Sequence, residues 1–86
     1  MRIDLYLKLM GITKTRMAAK RFCDSGKVLV SGKAVKPSHE ILADDSLDLF
    51  LPQKEMKLKV VEVPSSKSVA KQDRPQFMVL EVTKEF

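Results

Sequence analysis

Residues Thr13–Val35, TKTRMAAKRFCDSGKVLVSGKAV, decide how this chain folds. A helical period runs through the first half of the stretch and a strand period through the second, with Gly26 between them. Thr15 is placed to cap a helix, its hydroxyl accepting from a backbone N–H that has no partner in the first turn. Gly26 stands where a left-handed residue closes a helix. The spacing therefore predicts a helix over 16–25. Ala18, Ala19, Phe22 and Cys23 recur at three- and four-residue steps and form its packing face, while Arg16, Lys20 and Asp24 share another face. Beyond Gly26, Val28 and Val30 alternate with Lys27 and Leu29, and Ser31-Gly32 supplies a tight turn into Lys33-Ala34-Val35. A helix running into a hairpin, with cations along its rim, is a candidate phosphate reader.

Charge is divided unevenly along the chain. Residues 1–36 hold nine Lys or Arg against two acids, a net +7, whereas residues 37–86 carry seven basic and nine acidic side chains, a net −2. A surface selected only for solubility mixes both signs throughout, and positive charge gathered in one half attracts a polyanion. The whole chain, 86 residues at +5, is the size of one domain with a modest core. No apolar run approaches the roughly 18 residues needed to span a bilayer, and Asp4 and Lys8 interrupt the apolar start, so neither a membrane partner nor a signal peptide is expected. One cysteine, Cys23, permits no internal disulfide, which agrees with a cytoplasmic location.

The rest of the chain reads as follows. Arg2–Met10 is a first helix with Ile3, Leu7 and Met10 on one stripe and Tyr6 beside it, and Asp4 in its first turn suits the positive end of the helix dipole. Gly11 ends it. Leu47–Leu51 is a strand stopped by Pro52, and Lys57–Val63 and Phe77–Thr83 are two further strands rich in β-branched and large apolar residues. Residues 64–75, PSSKSVAKQDRP, lack any apolar period and read as a mobile hairpin tip. The fold class is α+β: two short N-terminal helices packed on a small, mainly antiparallel sheet. A single domain over 1–86 divides into a 1–50 motif and a 51–86 extension of two strands.

Catalytic chemistry is thinly provided. Acid–base, nucleophilic and metal mechanisms need several convergent groups, and here one histidine, His39, falls in a turn, while Cys23 falls on a packing face. No glycine-rich phosphate loop is present, so neither cofactor nor enzymatic activity is expected. With Tyr6 and four phenylalanines as the only aromatics, base stacking is poorly served, and recognition of folded RNA by shape and phosphate fits better. Arg16 lies in the first turn of a helix whose free N–H groups favour phosphate, with Thr15 as its cap and Lys14, Lys20, Lys27 and Lys33 flanking it. Two short helices and basic charge also suit a DNA-binding helix-turn-helix, but here the second helix runs into a hairpin and no dimerisation helix follows.

Four segments in order carry a family resemblance: R-I-D-x-Y-L-K at 2–8, K-T-R-x-x-A-K at 14–20, G-K-V-L-V-S-G-K at 26–33 and K-P-S at 36–38. Together they resemble the RNA-binding domain first named in ribosomal protein S-four, also called the αL motif, over about residues 1–50. Two positions depart from its usual pattern: Ser31 stands where asparagine is frequent, and Asp44-Asp45 stands in place of Gly-Asp. The second half resembles the small free-standing members of the family, the heat-shock protein fifteen type and its shorter relatives of ribosome-associated quality control. The resemblance implies a factor that binds ribosomal RNA and/or tRNA on a large ribosomal subunit still holding peptidyl-tRNA, during quality control or recycling of stalled ribosomes; a monomer is expected. It also adds Arg2 to the RNA face. The alternative it leaves open is a ribosome assembly or structural rRNA-binding protein.

Overall fold

The computed structural model describes residues 1–86. Helix α1 spans Ile3–Leu9 and α2 spans Arg16–Asp24. The strands are β1 (Val28–Val30), β2 (Lys33–Ala34), β3 (Ser46–Leu51), β4 (Lys54–Val60) and β5 (Met78–Glu85). They form one antiparallel sheet in the order β2-β1-β3-β4-β5.

Alternation decides which side of the sheet is covered. Val30, Leu47 and Leu58 stand in one cross-strand row and Val28 and Leu49 in the next, all buried, while Leu29, Asp48 and Lys57 occupy the opposite face. Ile3, Tyr6 and Leu7 of α1 and Ala19 and Cys23 of α2 complete the same core. Each large aliphatic side chain among them contributes roughly 1.5–3 kcal/mol of burial, which two helices of this length need because neither is stable alone. The packing face expected for α2 is the one observed: Ala19 and Cys23 are buried, Ala18 and Phe22 half-buried, and Arg16, Lys20 and Asp24 exposed.

Helix α1 closes at Gly11 through a Schellman arrangement. The Gly11 N–H donates to the Lys8 carbonyl and the Ile12 N–H to the Leu7 carbonyl, each at 3.0 Å, with Gly11 at φ +74°. The expected Ser31-Gly32 turn has both residues at positive φ, +51° and +84°, the twist that joins two strands through two residues. Asp44 also lies in the left-handed region at φ +74° and so takes the conformation usual for glycine at that position.

The second half departs from expectation in detail. Pro52 does not merely stop β3: Pro52-Gln53 forms a two-residue turn, so Lys54 pairs directly with Leu51 and β4 begins three residues before the predicted Lys57. The same strand ends at Val60 instead of Val63, and a bulge beside Lys57 and Leu58 lets β5 run on to Glu85. Within the 64–75 segment and the residue after it, Lys71–Gln76 form a 3-10 turn. Arg74 of this turn, within the segment read from the sequence as a mobile hairpin tip, donates from Nε to the Leu9 carbonyl at 3.0 Å. A Cβ at Gly11 would lie 2.7 Å from its Cζ, so the guanidinium is laid over the end of α1. Tyr6 adds a second tie, its hydroxyl donating to the Phe77 carbonyl at 2.9 Å.

Candidate nucleic-acid interface

The start of α1 is fixed by backbone pairing to a distant segment. The Ile3 N–H donates to the His39 carbonyl at 2.8 Å and the Asp4 N–H to Pro37 at 3.2 Å, while Arg2 and Glu40 form an antiparallel bridge. Arg2 is thereby held in extended backbone, φ −67° and ψ 143°, one residue ahead of the helix. The Thr15 hydroxyl accepts from the Ala18 N–H at 3.0 Å, the predicted cap, and the Thr13 hydroxyl donates to the Thr15 carbonyl at 3.0 Å. This cap starts α2 at Arg16, and the packing of α1 on α2 brings that residue beside Asp4.

Asp4 joins the two arginines. Its side chain is 3% exposed, and Oδ2 accepts from Arg2 Nη2 at 3.1 Å and faces Arg16 Nε at 3.5 Å. The other carboxylate oxygen accepts the Leu5 N–H at 2.7 Å. The two arginine side chains stay about half in solvent, 44% exposed for Arg2 and 49% for Arg16. The sequence placed Asp4 only as a dipole partner in a first turn. A usable signal was present: it is one of just two acids among the first 36 residues, inside the most basic part of the chain.

Of the other residues singled out from the sequence, Lys14, Thr15, Lys20, Lys27 and Lys33 are all exposed, and no ion pair ties any of them to the Asp4 cluster. Lys14 precedes the α2 cap and Lys20 lies one turn beyond Arg16, so both border the arginine pair. Lys33 lies in β2, the edge strand of the sheet, and Lys27 immediately precedes β1. Beneath the cluster, Cys23 is 3% exposed, and its thiol is pushed up to about 11, first by burial and then by the charges of Asp4 and Asp24. A nucleophilic role is poorly served by that shift. A concavity of about 800 Å³ opens between Gly11-Ile12 and the Pro52-Gln53 turn and shares no residue with the cationic cluster.

A capped helix start and two guanidinium groups gathered on one buried carboxylate, displayed by an α+β unit, form a cationic surface whose chemistry suits phosphate-bearing ligands. The match to known families makes this specific. The model of the S4 domain fits residues 1–47, and the chain belongs to that family. It is 32% identical over 73 residues to the RQC P-site tRNA stabilizing factor of Helicobacter pylori strain J99, covering 85% of this chain and 87% of that protein. The protein of the same name from Halalkalibacterium halodurans is 31% identical over 85 residues, 99% of this chain and 92% of its own length. Among solved structures, Vibrio cholerae heat shock protein 15 superposes with a TM-score of 0.86 at 21% identity, covering 94% of this chain and 81% of the other. The solution structure of the hypothetical protein HP1423 gives 0.83 at 28% identity, covering 95% of this chain and 98% of that one. The expected α+β arrangement of two helices on an antiparallel sheet is the fold these structures share.

Proposed function

We propose that this chain is a cytoplasmic, monomeric, non-enzymatic factor that binds ribosomal RNA together with tRNA on the large ribosomal subunit, in the handling of stalled ribosomes. The observation that carries the reading is the convergence of Arg2 and Arg16 at the start of α2, inside the part of the chain that matches the S4 domain. Support also comes from the relatives, whose shared name ties them to a tRNA at the P site and which span most of this chain. Lys14, Lys20, Lys27 and Lys33, with Thr15 as the cap of α2, extend the proposed RNA surface from the arginine pair to the hairpin. Phosphate contacts alone position a protein without selecting a site, so selectivity must come from fitting a composite surface where ribosomal RNA and tRNA lie together.

Cosedimentation at near-physiological salt tests the reading. Large subunits carrying peptidyl-tRNA are expected to retain the protein at least about tenfold better than empty large subunits, a difference of roughly 1.4 kcal/mol. Equal partition would reject the tRNA-linked role, and transfer to small-subunit precursors would favour ribosome assembly.

A further inference from the structure

A carboxylate at the centre of a polyanion-binding face is, by charge alone, a defect. Asp4 cancels one of the nine cations of residues 1–36 and repels any phosphate brought close to it. Yet its side chain is 3% exposed, shielded from direct contact with a ligand, and the two groups it faces are the two arginines of the proposed surface. We propose that Asp4 is a positioning residue for RNA binding: it holds Arg2 and Arg16 side by side so that their free N–H groups form one fork for neighbouring phosphates. The proposal rests on the RNA-binding reading above.

The division of hydrogen bonds supports this role. A guanidinium has five N–H donors in a rigid plane. Asp4 accepts a hydrogen bond from Arg2 Nη2 at 3.1 Å and forms an ion pair with Arg16 Nε at 3.5 Å, and no other side chain pairs with either arginine. The remaining donors of both groups are left unpaired and half in solvent. An arginine otherwise surrenders much rotamer freedom when it engages a phosphate, and a buried acceptor that already holds it removes part of that loss. Asp4 is itself steadied: its second oxygen is bonded to the Leu5 N–H, and its backbone N–H is bonded to Pro37. Arg2 and Arg16 come from separate elements whose backbones are fixed by pairing and packing, and Asp4 is the side chain that brings their guanidinium ends together.

Positioning and charge predict opposite signs. Asp4→Asn preserves size and an oxygen acceptor but raises the net charge from +5 to +6. Binding to large subunits carrying peptidyl-tRNA, with the wild-type protein run alongside, is expected to weaken by about tenfold despite the added charge. In a background of Arg2→Gln with Arg16→Gln the loss should vanish, because nothing remains to be positioned, whereas a role limited to holding α1 would carry its loss into that background as well. Arg16→Lys supplies a second measurement on an exposed residue, valid even should Asp4→Asn fail to fold. It keeps the charge but loses the planar fork, and it should bind nearly as weakly as Arg16→Gln. Asp4→Asn binding as tightly as wild type or tighter, or Arg16→Lys matching wild type, overturns the inference while leaving the RNA reading intact. Absence of wild-type binding overturns both.

Discussion

Helix α1 is held by an arginine at each end, and the two arginines come from opposite halves of the chain. Arg16, in the basic half, faces Asp4 in the first turn through its Nε, and Arg74, in the acidic half, donates its Nε to the carbonyl of Leu9 in the last. Both suit the local chemistry, a cation beside a carboxylate and a cation at the negative end of a helix dipole. Their consequences differ. Asp4 lies under the surface and leaves the Arg16 guanidinium half in solvent, whereas Leu9 draws Arg74 down over Gly11, where no side chain could fit. One arginine is displayed and the other is used as a clasp. Residue type and overall charge do not separate them; the depth and direction of the acceptor do.

The sharpest way to break this comparison is to remove each arginine and read binding and stability separately. Arg2→Gln with Arg16→Gln should weaken binding to ribosomal particles by at least about a hundredfold, roughly 2.7 kcal/mol. Arg74→Gln should leave binding within about twofold and instead lower stability by about 1–1.5 kcal/mol, the value of one partly buried charge-assisted hydrogen bond. Salt titration of the wild type adds a check: four to six phosphate contacts give a slope of about −3 to −5 in log affinity against log salt. Arg74→Gln binding as poorly as the double variant would erase the distinction between display and clasp.

The clasp itself is tested at Gly11. Gly11→Ala must hold alanine at φ +74° and push aside the Arg74 guanidinium, so it should destabilise the protein by about 2 kcal/mol in thermal or urea unfolding. In an Arg74→Gln background part of that penalty should disappear, because the collision is relieved while the backbone strain remains. Full additivity would mean that Arg74 does not lie on Gly11 in solution.

The sequence revealed the first half of the molecule far better than the second, for a physical reason. Helix α2, its Thr15 cap, its packing face and the Ser31-Gly32 turn are all encoded within a few residues, by period, capping chemistry and glycine placement. The second half is set by distant partners. β4 starts early because Lys54 can pair with Leu51, and the 71–76 turn is fastened by a bond from Arg74 to a residue 65 positions away. No local pattern announces such a bond. The same limit applied at the candidate site: Arg2 and Arg16 were legible as cations, but the meeting of both on Asp4 depends on how α1 packs against α2.

The smallest expected effect reads the comparison from inside the core. Cys23 lies under the basic half, and its thiol is raised from an ordinary 9.0 to about 11, chiefly by burial, then by Asp4 and Asp24. Asp4→Asn should therefore lower the thiol pKa, by less than burial raises it, whereas Arg74→Gln should leave it unchanged, since Arg74 clasps the other end of α1. Following the rate of iodoacetamide modification against pH on the folded protein measures both. The sign also sets a stability window. Because the folded pKa lies above the unfolded one, protonated Cys23 favours the native state fully below pH 9, and that contribution is lost as pH rises through 11. Burial of the Tyr6 phenol raises its pKa and acts in the same direction. Stability should thus stay level in this respect up to pH 9 and fall beyond it, with the fall from Cys23 smaller and ending at a lower pH in Asp4→Asn. An unchanged thiol titration in Asp4→Asn would show that the charge beneath the arginine pair is not felt at Cys23. The displayed end of α1 would then be electrically separate from the core it stands on, and the contrast with the Arg74 end would rest on geometry alone.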